Sequence, residues 1–219
     1  MPQAIGFDGS DSDRGKWRAM LTSVLAVVAS GVFLVRLFPQ PMCLARSGVA
    51  AGVSPLAALN LVVAQSVWTI YGLIASLPAV WIVSILALVP SVWTVVLLRR
   101  SVTWRDLAWT TAWMAVIVAA ATGGVLGAAL AFTVGVTNAP QVARVFTDHD
   151  LSGISPVTWW IALLDATTWG AYGIALGDGA LIGYAIVLAT SAVIVLVRLA
   201  WVSRQMTGDE PILAVTPVV

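Results

Sequence analysis

Apolar and polar positions along this chain fall in blocks. Long apolar runs near 18–38, 55–75, 79–98, 104–121, 123–139, 156–176 and 179–201 are separated by short polar breaks. As a helix, about 20 such residues cross about 30 Å of hydrocarbon. The pattern therefore predicts an all-α membrane protein with seven transmembrane helices. Boundary residues agree with the blocks. Ser54-Pro55 and Ser155-Pro156 each read as an N-cap followed by proline at the first helical position, where its missing N–H is no loss. Arg99 and Arg100 close the third run. Residues 1–16 read as a polar N-terminal tail with Asp8, Asp11, Asp13, Arg14 and Lys16, and 203–219 as a short C-terminal tail with Pro211 and Pro217. No small-residue cleavage pattern follows the first run, so the first helix is expected to be retained.

Self-comparison adds an internal repeat. Pro39-Gln40 recurs as Pro140-Gln141, Gly52 as Gly153, Ser54-Pro55 as Ser155-Pro156, and Trp68 with Tyr71-Gly72 as Trp169 with Tyr172-Gly173, every pair offset by 101 positions. One ungapped offset across separated landmarks indicates duplication. Each copy holds three predicted helices, an odd number, so a linker helix must reverse direction before the second copy enters in the same orientation. The organisation is then a first repeat at 17–100, a linker helix at 101–122 and a second repeat at 123–202, a 3+1+3 arrangement of parallel repeats.

Composition narrows the function classes. The chain is 60% hydrophobic and 10% charged, with a mean hydropathy of +0.96, which excludes a soluble domain. Its net charge is +1 and no Lys/Arg run exceeds two residues, so it lacks the basic stripe of a nucleic-acid binder. Cys43 is the single cysteine and reads as a packing residue; His149, the single histidine, reads as a solvated loop residue between Asp148 and Asp150. No metal site and no cofactor is expected. No His-Glu-x-x-His, Gly-x-Ser-x-Gly or paired intramembrane aspartates occur, which argues against an enzyme. Seven spans place Arg36, Arg46, Arg99, Arg100, Arg105, Arg144, Arg198 and Arg204 on one side and only Arg14, Lys16 and Arg18 on the other. The positive-inside rule then puts the N-terminus outside and the C-terminus in the cytoplasm, in a plasma (inner) membrane if the source is bacterial. Several of the eleven tryptophans, among them Trp17, Trp81, Trp104 and Trp201, fall near helix ends as interfacial anchors.

Pro-Gln at the end of a first helix, Gly-Val-Ser or Gly-Ile-Ser at a second helix start, and Trp-x-x-Tyr-Gly, all duplicated, resemble the PQ-loop superfamily, specifically the SWEET sugar transporters and the half-size SemiSWEETs. The resemblance covers about residues 18–202. It implies a uniporter that alternates access around a central pocket for a small neutral solute, most simply a mono- or disaccharide. It assigns Trp68 and Trp169 to the pocket, Tyr71 and Tyr172 to an outer gate, and Pro39, Gln40, Pro140 and Gln141 to a hinge. Proline kinks a helix by removing a donor and crowding the preceding turn, and a neighbouring glutamine can satisfy the freed backbone groups. A static kink that merely ends each helix is the alternative.

Helical spacing sets Trp68 with Tyr71, and Trp169 with Tyr172, on single stripes. Gln65 and Asn60 continue the first stripe; Asp165, the carboxylate deepest in a predicted span, continues the second. A charge in hydrocarbon costs roughly 2.5–3.5 kcal/mol on insertion scales, so Asp165 should face a watery cavity or a partner. Two indoles could sandwich a sugar ring while amides and carboxylate meet its hydroxyls. A plain packing stripe is the competing reading. Where sugar-carrying relatives place a pocket asparagine, this chain has Ser84 and Ala185, with Tyr184 beside the latter as a substitute. Asp165 pulls instead towards a proton-coupled amino-acid carrier. A PQ-loop receptor without transport is the third alternative. Expected partners are the small-molecule solute and the lipid bilayer; two fused repeats complete a pathway, so a homo-oligomer is compatible but not required.

Overall fold

The computed structural model describes residues 9–47, 54–147 and 154–208. His149, Gly52 and Gly153 lie outside the described residues, as do the side chains of Gln40, Cys43, Pro140 and Gln141. The described chain is helical throughout its elements: α1 (Gly9–Leu37), α2 (Pro39–Ser47), α3 (Pro55–Ile74), α4 (Pro78–Leu98), α5 (Trp104–Thr122), α6 (Leu126–Thr147), α7 (Pro156–Leu176) and α8 (Gly179–Gly208). Four segments are long and apolar enough to cross a membrane: Asp13–Leu37, Pro55–Ile74, Pro78–Leu98 and Gly179–Arg204. In α6 the apolar stretch is the shorter Leu126–Ala139, and α7 interrupts its apolar run with Asp165. Large apolar side chains point outward, with Val27 73% and Ile74 74% exposed, while Gln65, Ser84, Thr133 and Asp165 are buried. An apolar exterior around a mostly apolar core that also buries these polar side chains suits a hydrocarbon solvent. The protein is all-α and has the character of a membrane-embedded chain.

Several boundaries differ from those the hydropathy pattern predicts. α1 starts at Gly9, inside the expected polar tail, because hydropathy marks where a helix becomes apolar and not where it begins. Asp13 in its early turns suits the positive end of the helix dipole, and Lys16 Nζ approaches Asp13 Oδ1 to 3.6 Å one turn on. The two Pro-Gln segments are not alike. α1 stops at Leu37, Phe38 bends, and Pro39 opens the separate helix α2. α6 instead continues through Pro140 to Thr147. The first copy reads Pro39-Gln40-Pro41, so two backbone donors are missing within one turn, whereas the second has Val142 where the first has Pro41. Ser54 caps α3 by accepting from Ala57 N at 3.3 Å; Ser155 has the same extended backbone but no side-chain cap bond. α5 starts with a reciprocal capping box between Thr103 and Asp106.

Packing repeats with the sequence. α4 packs on both α1 and α3, and α8 on both α6 and α7, so the third helix of each triplet lies between the other two. α5 touches α3 and α6. The Tyr-Gly pairs explain the α3–α4 and α7–α8 hairpins. A Cβ added at Gly72 would lie 2.7 Å from Trp81 N, and one at Gly173 would lie 2.8 Å from Leu181 Cβ and 3.1 Å from Ile182 N. Only glycine lets the next helix start this close. The turn that follows is duplicated too. Leu77 N bonds to Gly72 O at 2.7 Å and Asp178 N to Gly173 O at 2.9 Å, with Ser76 at φ 55° and Gly177 at φ 70° between them. Both are helix ends closed by a left-handed residue.

Candidate functional site

A cavity of about 80 Å³, room for several waters or one small solute, lies inside the bundle. α3 contributes Leu61, Ala64, Gln65 and Trp68; α6 faces them with Thr133, Val134, Thr137 and Asn138. α4 adds Val80, Val83 and Ser84, α1 adds Phe33 and Arg36, and Trp169, Leu181 and Tyr184 come from α7 and α8. Trp68, Trp169, Gln65, Ser84 and Tyr184, singled out in the sequence, are thus brought to one wall-lined space, whereas Asn60 does not line it. The Trp68 ring stands edge-on to Tyr71 at 5.6 Å and to Tyr184 at 5.7 Å, and Trp169 meets Tyr172 at 5.7 Å. The indoles therefore have tyrosines as ring partners, which fixes their orientation.

Asp165 does not line the cavity. It is fully buried behind it, and its Oδ2 accepts from the Tyr184 hydroxyl at 2.6 Å and pairs with Arg36 Nη1 at 2.9 Å. The partner that hydropathy demanded for this carboxylate is an arginine from α1, which the sequence pattern had grouped with the cytoplasmic-side charges. Its carbons reach along the helix end so that the guanidinium enters the bundle. Tyr184, expected as a donor to solute, gives its hydroxyl to Asp165 instead. Ala185, beside it, faces Gly170, whose added Cβ would lie 3.0 Å from the Ala185 Cβ.

Two further features bear on the site. Tyr71 donates to Asp178 Oδ2 at 2.8 Å, while Asp178 Oδ1 accepts from Leu181 N at 2.9 Å and so caps α8. One carboxylate thereby ties the end of α3 to the start of α8. The repeat equivalent of Asp178 is Leu77, so Tyr172 has no counterpart acid. In the cavity wall, Gln65 Oε1 and Asn138 Nδ2 are buried without a hydrogen-bond partner, as is Asp165 Oδ1 behind it. Such atoms cost about 1–3 kcal/mol each if left dry, so they call for water or a bound solute.

Arg36, read in the sequence only as a cytoplasmic-side charge, and Phe33, Thr133, Thr137 and Asn138 were not singled out as site residues, although a signal existed. The offset of 101 maps Arg36 onto Thr137 and Asp165 onto Ala64, so the ion pair has a neutral equivalent in the other half. A charge pair present in one copy and absent from its duplicate marks a position released from the repeat's common packing role. No family model, no curated protein and no solved structure matches the chain.

Proposed function

We propose that the chain is a membrane carrier for a small polar solute, working as a seven-helix PQ-loop protein of the SWEET kind with two three-helix repeats and a linker helix. The observation that carries this reading is the cavity itself. It lies between the two triplets, where α3 of one faces α6 of the other, and is lined by two indoles and by amides with unpartnered buried atoms. The duplicated hairpins and the repeated order of helices within each triplet support a pathway built by two similar halves. In this reading the repeats at 17–100 and 123–202 rock about the cavity, Pro39-Gln40 and Pro140-Gln141 supply the hinge, and Tyr71 with Asp178 closes the end away from the arginine-rich side. That side faces the cytoplasm of a plasma (inner) membrane, with the N-terminus outside.

A mono- or disaccharide, carried by uniport, is the simplest neutral solute for an indole-lined pocket. Proton-coupled transport through Asp165 is less well supported, because the carboxylate is held by Arg36 and Tyr184 outside the cavity lining. Uptake and counterflow of glucose, sucrose and neutral and basic amino acids in proteoliposomes test the carrier reading. Saturable flux of one solute, lost in Trp68→Ala, is expected. A folded protein that binds a solute yet moves none across the bilayer would instead be a receptor.

A further inference from the structure

Among the described residues that line the cavity, Arg36 alone carries a charge. Its guanidinium is held on two sides: Nη1 pairs with Asp165 Oδ2 at 2.9 Å, and the carbon of the fork lies 5.4 Å from the Phe33 ring centroid. Asp165 is itself fixed by the Tyr184 hydroxyl on the same oxygen. A guanidinium has five N–H donors, and contacts to one carboxylate oxygen and to the Tyr184 hydroxyl leave others for a solute. The side chain remains 20% exposed. Across the cavity, Asn138 Nδ2 is a buried donor without an acceptor. Asp165, the compensating charge, is 0% exposed and outside the lining, so a solute meets the cation and not its partner.

We infer that this cavity is a binding site for a small carboxylate-bearing solute, with Arg36 as the anchoring residue, Asn138 as a second donor, and Asp165 and Tyr184 as positioning residues that hold the guanidinium towards the cavity. The assignment deepens the carrier reading, rests on the same cavity, and replaces its simplest solute, a sugar, with an organic acid. A planar guanidinium matches a carboxylate in paired charge-assisted hydrogen bonds. The two indoles, Phe33, Val80 and Val83 surround the remainder of the solute with apolar surface. A cationic solute is disfavoured, since it would face Arg36 in a space of low dielectric with no carboxylate in the lining to receive it. Residues Thr137 and Ala64 at the equivalent positions of the other half carry no charge, so the site has one polarity and a solute would sit with its acid end towards α1.

The test compares acids with their own amides, which keep shape and lose charge. Purified full-length protein in detergent is titrated with lactate and benzoate, with lactamide and benzamide, and with glucose, following tryptophan fluorescence. Wild type is set beside Arg36→Lys and the double variant Arg36→Gln/Asp165→Asn, which removes both charges together and strands neither. For wild type, at least one acid should bind on the order of tenfold more tightly than its amide, a preference reduced in Arg36→Lys and abolished in the double variant. Equal binding of acid and amide, tighter binding of glucose, no binding of either acid, or a preference that survives in the double variant overturns the inference. Counterflow in proteoliposomes separates this from the carrier reading: acid binding without flux removes the carrier and leaves the anion site, whereas glucose flux without acid binding does the reverse.

Discussion

The Arg36–Asp165 pair illustrates how far a single residue can be read from its position in the chain. A lone carboxylate within an apolar run demands a partner, and that demand is visible in the sequence; the identity of the partner depends on α1 packing against α7. Breaking such a pair from one side leaves an uncompensated buried charge, at a cost of about 3–5 kcal/mol. Arg36→Gln alone should therefore lower the unfolding midpoint in detergent strongly, and the double variant Arg36→Gln/Asp165→Asn should recover most of that loss. If the single and double variants melt together, the pair contributes nothing to stability. Tyr71→Phe removes a hydrogen bond to a carboxylate that also caps α8. A bond of this type contributes about 1.5–3 kcal/mol, and its loss should raise the accessibility of that end of the cavity to a thiol reagent at an introduced Ser84→Cys, in a Cys43→Ser background. Unchanged labelling would show that Tyr71 does not close it.

Helices and turns follow local rules more closely than side-chain contacts do. The starts of α3 and α7 and the end of α4 fall where the serine-proline pairs and the arginine pair predict them, since caps and prolines act within a turn. The end of α1 and the continuity of α6 do not follow from the shared Pro-Gln motif, because the residue two positions after each proline decides the matter. The hairpin turns yield a prediction of opposite signs. Ser76 holds φ 55° without being glycine, whereas its equivalent Gly177 holds φ 70° as one. Ser76→Gly should stabilise the α3–α4 hairpin and Gly177→Ala destabilise the α7–α8 hairpin, each by about 1 kcal/mol. Thermal melts of the two variants check this, and shifts of the same sign would refute it. Gly72→Ala is expected to be worse than either, because the added carbon meets the backbone of Trp81 and not a flexible side chain.

For the molecule as a whole, duplication predicts two equivalent seams, α1 against α7 and α6 against α3. They are not equally closed. α1 packs on α7 far more extensively than α6 does on α3, and the ion pair lies in the closed seam. The cavity lies mainly along the sparse one, where Ala64 and Thr137 occupy the positions equivalent to the charged residues. If solute passage depends on movement there, cross-linking Ala64→Cys to Thr137→Cys in a Cys43→Ser background should stop flux, and reduction should restore it. Flux that continues after complete cross-linking would place the moving seam elsewhere.

The sequence by itself determined the helical class, the apolar character, most helix boundaries and the duplication, because helix length, capping and proline chemistry act within a few residues and an ungapped offset needs no coordinates. Helical periodicity also set Gln65 with Trp68 on one stripe and Asp165 with Trp169 on another, whereas Ser84 and Tyr184 were marked only by the family resemblance. Tertiary structure decided what those faces meet. Asn60 falls outside the cavity, Asp165 lies behind it, and Arg36 enters it from a helix 129 positions earlier in the chain than its partner. Contacts between helices depend on relative rotation and depth, which no local pattern encodes. The repeat's symmetry came from sequence; the way one half departs from the other to make a polar site came from packing.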